Sequence, residues 1–204
     1  MNRRGRLIGT LVAVFAALLL QVTVLPLFAW DVGGLGVVPD LVLLVVVATA
    51  LATDTRFATL TGFWAGLLLD IAPPADHLAG RWALALMVVG YVVGRLVHDN
   101  AGDVGAGSRF AREGVRRPPL PLALAAAAGG SFVGTSVFAL SGLLLRDAGA
   151  SIGELLPVAL VALLLDVVAA LAVVPATLWL LDRSTSDGLP RPAVRPAQRL
   201  RVRL

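Results

Sequence analysis

Five charged residues lie in or beside long apolar stretches of the chain, and their chemistry needs an explanation first. They are Asp40, Asp70, Arg81, Arg95 and Asp166. A charge at the centre of a membrane helix costs about 2.5–3.5 kcal/mol, so such residues usually find partners. Counted along their helices, Arg95 and Asp166 lie at similar depths, roughly 21 and 18 Å. This predicts an ion pair; the alternative is that Arg95 reaches the surface and Asp166 is protonated.

The other three charged residues are expected at helix ends. Asp70 ends one apolar stretch and Arg81 begins the next, and each has the sign that opposes the helix dipole at its position. They are close in sequence, so each could offset the other; the alternative is that both are solvated. Asp40 follows Pro39 at the start of an apolar run, which predicts a helix N-cap.

The residue types argue against an enzyme. The chain has no cysteine, which excludes thiolate chemistry and disulfides. His77 and His98 are predicted on opposite sides of a membrane, where they cannot share a metal ion. Asp70 and Asp166 differ in depth, which argues against an aspartyl protease pair. Phosphate-loop and nucleophile-elbow motifs are missing. We therefore expect no catalytic residues, metal or cofactor.

Composition and charge place these residues in a membrane. Hydrophobic residues make up 58% of the 204 residues and charged residues 15%, against about 45–50% and 25% in soluble domains. All 17 basic residues are arginine, and all but Arg81 and Arg146 fall on alternate connections between apolar runs. The positive-inside rule then places both termini in the cytoplasm. The net charge of +4 indicates anionic lipid at the cytoplasmic face, not nucleic acid.

The apolar runs predict an all-α protein with six membrane spans in a single domain, residues 1–181. We read the N-terminal run as an uncleaved span and not a signal peptide. Residues 182–204 are predicted to form a basic, disordered tail. The predicted spans are 7–28, 37–52, 57–71, 81–97, 120–145 and 154–181.

Spans two and three are short for a bilayer. Each has about 16 residues and reaches only about 24 Å. They either cross the membrane with little tilt or form a re-entrant hairpin. The two models differ in whether Asp54 and Arg56 lie at the cytoplasmic surface or inside the protein.

Three of the spans carry pairs of glycines four residues apart, which place small residues on one helix face. We expect these faces to pack within the bundle; dimerisation is the alternative. The glycines are Gly62, Gly66, Gly90, Gly94, Gly130 and Gly134.

Several segments together resemble one family. Pro39-Asp40 opens an apolar span, and residues 62–70 read Gly-Phe-Trp-Ala-Gly-Leu-Leu-Leu-Asp. Residues 78–81 read Leu-Ala-Gly-Arg, and residues 90–95 read Gly-Tyr-Val-Val-Gly-Arg. These segments resemble the MreD rod-shape-determining proteins, in an actinobacterial version, and the stretch 66–82 is the most specific. The resemblance covers about residues 7–181.

The resemblance implies a non-enzymatic scaffold in the bacterial cell membrane. MreD proteins belong to the cell-wall elongation machinery, with the MreB cytoskeleton, the MreC protein, the RodA synthase and its transpeptidase. The role implied is in cell shape or spore-wall synthesis. Their fold is similar to the substrate-binding subunits of energy-coupling-factor transporters, which suggests the alternative, a small-ligand-binding transporter subunit. The short outer loops and the single tyrosine favour the scaffold.

Overall fold

The chain is mostly helical in a computed structural model that describes residues 3–32, 35–73, 79–99, 118–144 and 152–186. Each helix follows one of the predicted apolar runs. The α-helices are α1 (Arg3–Leu19), α2 (Leu41–Ala52), α3 (Thr55–Ile71), α4 (Arg81–Gly94), α5 (Leu120–Leu144) and α6 (Ile152–Ser186).

Short irregular segments follow two of the helices. A π-helical turn, Leu20–Val24, and a 3-10 turn, Leu25–Phe28, continue α1, with Pro26 in the second turn. A second π-helical turn, Arg95–Asp99, continues α4. Proline lacks the amide hydrogen that a regular helix needs, which accounts for the tighter turn at the end of the first apolar run.

A small antiparallel hairpin separates α1 from α2. Strand β1 (Trp30–Val32) pairs with β2 (Leu35–Val37), with Trp30 opposite Val37. The all-α prediction is therefore correct for most of the described chain, and this short hairpin is the exception. The hairpin delivers the chain to Asp40, where α2 begins.

Helix α2 forms the centre of the bundle. Its residues from Val42 to Leu51 are all buried, and the helix contacts α1, α3, α4, α5 and α6. Because it is apolar on every face, it has no side suited to water and is stable only when surrounded. The other helices pack around it, so its first turn lies inside protein.

Helices α3 and α4 form the closest helix pair, and four of the six predicted packing glycines make it possible. A Cβ atom on Gly62 or Gly66 would overlap the backbone carbonyl of Leu86 or Trp82. A Cβ on Gly90 would lie 2.5 Å from the carbonyl oxygen of Ala58. Gly94 fits against Thr55 in the same interface. The glycines thus allow the two backbones to touch.

The remaining two glycines pack against larger side chains. Gly130 on α5 receives Val47 of α2, and Gly134 receives Leu43 of α2 and Val89 of α4. All six glycines therefore lie at contacts within one chain, the arrangement expected from the sequence.

Within the described residues, four helical segments are long and apolar enough to cross a membrane. They are Arg4–Phe28, Arg81–His98, Leu120–Leu144 and Leu156–Ser184. Large apolar side chains are exposed on the outward faces of these segments, among them Leu11, Phe132 and Leu164. The structure thus confirms a mostly helical protein, and these helices fit a membrane by their length and composition. Helix α2, with 12 residues, is a shorter apolar helix.

The turn between α2 and α3 lies at the surface. Asp54 and Arg56 are exposed, and Asp54 forms an ion pair of 3.2 Å with Arg6 near the start of α1. This position agrees with the model of spans two and three in which Asp54 and Arg56 lie at a surface and not inside the protein.

The predicted tail is partly helical, and several other predictions concern residues that the structure does not describe. The last helix continues to Ser186, so residues 182–186 are helical and not disordered as predicted. His77, the connections 100–117 and 145–151, and the tail from residue 187 lie outside the described residues.

Candidate functional site: polar groups at buried helix starts

Asp40 caps α2, as the sequence predicts. Its Oδ1 atom accepts a hydrogen bond of 2.8 Å from the Leu43 amide, and its carbonyl accepts one of 3.1 Å from the Leu44 amide. The first turn of a helix has amides without partners inside the helix. The start of α2 is half-buried, so side chains replace water as partners for some of these amides.

Two residues from other helical segments bind further amides at this turn. The Asp40 amide donates to Oδ1 of Asp166 at 2.6 Å, and the Val42 amide donates to Oε1 of Gln21 at 3.0 Å. In a capping box, a side chain from the same helix binds the N-cap amide. Here Asp166 takes that role from α6, 126 residues along the chain.

The second oxygen of Asp166 binds α5. Ser131 donates its hydroxyl to Oδ2 of Asp166 at 2.5 Å, and Asp166 is 3% exposed. Ser131 and Asp166 both lie near the middle of their helices. The start of α2 is therefore held by hydrogen bonds to two long helices.

The predicted pair of Arg95 and Asp166 is wrong. The two oxygens of Asp166 accept from Asp40 and Ser131, while Arg95 is exposed in the turn that follows α4. Equal depth along two helices did not bring the side chains together, because Asp166 faces α2 and α5 and Arg95 faces outward.

One oxygen of this cluster has no hydrogen-bond partner. The buried Oδ2 atom of Asp40 makes no hydrogen bond of normal geometry among the described residues, although the Gln21 side chain lies close to the same carboxyl group. Two carboxyl groups thus meet at the start of α2, with amides and one hydroxyl as their donors. We call Asp40, Asp166, Ser131 and Gln21 the acid cluster.

Asp70 makes a second cap between two helices. Its carboxylate accepts from the amides of Gly80 at 2.8 Å, Trp82 at 3.1 Å and Ala83 at 3.0 Å. Asp70 ends α3, where its charge opposes the helix dipole, yet it binds the start of α4, where a negative charge is favourable. The N-terminal end of α4 therefore stabilises the negative charge of Asp70, which the dipole of α3 disfavours.

Gly80 is required at the start of α4. Its φ is +99°, a left-handed conformation that side chains with a Cβ rarely adopt. This conformation directs the amides of the first turn toward Asp70. Sequence alone marked Gly80 only as part of the segment Leu78–Arg81.

Arg81 binds α5. Its Nη2 atom donates to the carbonyl of Phe138 at 3.0 Å, its Nε atom to the Ser141 hydroxyl at 3.3 Å, and its guanidinium lies 4.0 Å from the centre of the Phe138 ring. The sequence predicted that Asp70 and Arg81 offset each other. The structure shows further partners for both: helix amides for Asp70, and α5 for Arg81.

Two members of the acid cluster, Gln21 and Ser131, are not among the site residues predicted from the sequence. A signal for Gln21 exists, because it interrupts an apolar run and a glutamine inside a membrane helix needs a partner. Ser131 lies in a helix with several hydroxyl residues, and nothing in the sequence distinguishes it from Thr135 or Ser136.

The described side chains of this site bind the amides of helix starts. No group of three or more His, Cys, Asp or Glu side chains suited to a metal ion occurs within residues 3–32, 35–73, 79–99, 118–144 and 152–186. No protein-family model, curated protein or solved structure matches the chain.

Proposed function

We propose that this protein is a non-enzymatic membrane scaffold of the cell-wall elongation complex, of the MreD type. Its partners would be MreC-like proteins, the MreB cytoskeleton, and a RodA-type synthase with its transpeptidase. Through them it would act in cell shape or spore-wall synthesis, at the bacterial cell membrane.

The observation that supports the proposal is the position of the segments that resemble the family. Asp40 caps the central helix, Gly62 and Gly66 touch the backbone of α4, and Asp70 caps α4. The residues that carry the resemblance therefore serve to assemble one compact unit, α2–α3–α4. Polar groups that hold helices together are what a scaffold requires, because its activity lies in the surface it presents.

We also propose six spans with both termini in the cytoplasm. The four long helices supply four crossings, and α2 with α3 would supply the other two. The arginine distribution supports this orientation, and so does the Arg6–Asp54 pair, which puts the α2–α3 turn at the same end as the start of α1.

Cysteine labelling tests the topology, since the natural chain has no cysteine. We expect Asp31→Cys in the hairpin to react with a membrane-impermeant maleimide on intact spheroplasts. Arg56→Cys and Arg183→Cys should react only after the membrane is opened. All three positions are exposed. Labelling of Arg56→Cys on intact spheroplasts would contradict the six-span orientation.

Gene deletion tests the function. We expect cells without the protein to show altered cell shape or a defective spore wall, with peptidoglycan synthesis mislocalised. Expression of the wild-type gene should restore the normal phenotype. The Asp54→Asn variant, which changes an exposed cap, should do the same.

The transporter alternative predicts a different phenotype. A small-ligand-binding subunit would leave the wall intact and abolish uptake of one vitamin-like compound. That outcome would replace the scaffold proposal.

A further inference from the structure

The acid cluster carries a property that a scaffold role does not require. Asp40 and Asp166 come from different helices and meet at a hydrogen bond of 2.6 Å between the Asp40 amide and the Asp166 carboxylate. The Ser131 hydroxyl and the Gln21 side-chain oxygen lie in the same cluster. Its side chains therefore supply oxygen atoms, the ligand type of hard cations.

The unpartnered oxygen points to something bound. Oδ2 of Asp40 is buried and has no hydrogen-bond partner in the described part of the chain. A buried carboxylate oxygen without a partner carries the full penalty of its lost hydration, and such atoms in folded proteins usually bind a water or an ion. The other three carboxylate oxygens already accept from Leu43, Asp40 and Ser131.

Positive side chains do not neutralise the cluster in the described residues. On the helices around α2, Arg6 pairs with Asp54, Arg81 binds Phe138 on α5, and His98 contacts the Ala50 carbonyl near the end of α2.

The other titratable side chains that the structure describes on these elements also lie elsewhere. Asp70 binds the start of α4. The others are exposed: Arg4, Asp31, Arg56, Tyr91, Arg95, Asp182 and Arg183. Two carboxylates without a positive partner are strongly disfavoured in an apolar bundle, because each charge loses hydration and repels the other.

We propose that Asp40 and Asp166 bind one monovalent cation, H⁺ or Na⁺, at the buried start of α2. One positive charge removes the repulsion between the two carboxylates and gives Oδ2 of Asp40 a partner. The bound cation joins α2 to α6, so binding stabilises the closed bundle.

The test uses the purified full-length protein in neutral detergent, with Tm followed by tryptophan fluorescence. Sodium chloride is compared with choline chloride at equal ionic strength and pH 7.5, and pH 5.5 is compared with pH 8.5 without sodium. A cation bound only by the folded state raises Tm. For H⁺ this means that stability falls as pH rises, because the folded state binds more protons.

Asp40→Asn is the decisive variant because asparagine is also a good N-cap, so α2 keeps its cap while the cluster loses one charge. Asp166→Asn is the second variant. Asp54→Asn is the matched control, since Asp54 caps α3 through the Phe57 amide but its side chain is 58% exposed.

If sodium is the occupant, we expect Na⁺ to raise the wild-type Tm by about 3 °C or more. If the occupant is H⁺, we expect the same rise at the lower pH. The response should disappear in Asp40→Asn and Asp166→Asn and persist in Asp54→Asn. A wild-type Tm that responds to neither cation would overturn the proposal. So would a response of equal size in both cluster variants, or a response to Mg²⁺ or Ca²⁺ alone.

Discussion

Gly62→Ala should destabilise the folded protein by about 3 kcal/mol or more, the upper end of the usual cost of overpacking. The added Cβ would overlap the carbonyl oxygen of Leu86. Because this neighbour is backbone and not a flexible side chain, the helices must separate to admit one methyl group. Separation would also open the contacts at Gly66 and Gly90, which belong to the same interface.

The measurement is Tm of the purified protein in detergent, where we expect a decrease of about 6–12 °C. Gly129→Ala is the matched control, since a Cβ at Gly129 meets nothing within 4 Å. Alanine is favoured over glycine inside a helix by about 0.5–1 kcal/mol, so this change should raise Tm slightly. A Gly62→Ala protein as stable as Gly129→Ala would refute the close α3–α4 contact.

Asp70→Ala should be comparably harmful. The side chain is 3% exposed and accepts from the amides of Gly80, Trp82 and Ala83. Each buried donor that loses its partner costs about 1–3 kcal/mol. We therefore expect a loss of roughly 3 kcal/mol or more, provided that water does not replace the carboxylate.

Two further variants separate capping from charge. Asp70→Asn keeps one accepting oxygen and should lie between the wild type and Asp70→Ala in Tm. Asp54→Ala removes an exposed cap, which costs about 0.5–2 kcal/mol, and should be the milder alanine change. Equal Tm values for Asp70→Ala and Asp54→Ala would show that the cap on α4 contributes no more than a surface cap.

The sequence was sufficient for the features that are local. Apolar runs located every helix, and Pro39 followed by Asp40 identified the cap of α2. The glycine spacing identified the faces of α3 and α4 that touch. These features depend on residues within a few positions of one another, so periodicity and capping preferences determine them.

The partners of the buried charges depend on how each helix is rotated about its own axis. The positions of residues along the chain do not reveal that rotation. Asp166 binds the Asp40 amide, 126 residues away. Depth along the helices suggests Arg95 as its partner, but depth does not specify direction. Asp166 faces the centre of the bundle, where α2 begins, and Arg95 does not.

The hairpin before α2 was missed for a different reason. The strands have three residues each, too few for an alternating pattern to be recognised. Gly33-Gly34 between two short apolar segments is nevertheless a sequence pattern typical of a hairpin.

The positions of the buried polar groups agree with a structural purpose. Asp40, Asp166 and Asp70 bind the amides of two helix starts, and Arg81 ties α4 to α5. Capping and helix-to-helix contacts thus account for these four charges. The proposed function then depends on which proteins the finished bundle contacts.

Affinity purification of the tagged full-length protein from membranes of its own cells tests the scaffold claim most directly. The account predicts that MreC-type and RodA-type proteins are recovered together with it, and that recovery is unchanged in Asp54→Asn. If the protein is recovered without either partner, and binds a vitamin-like ligand saturably, the scaffold claim is contradicted.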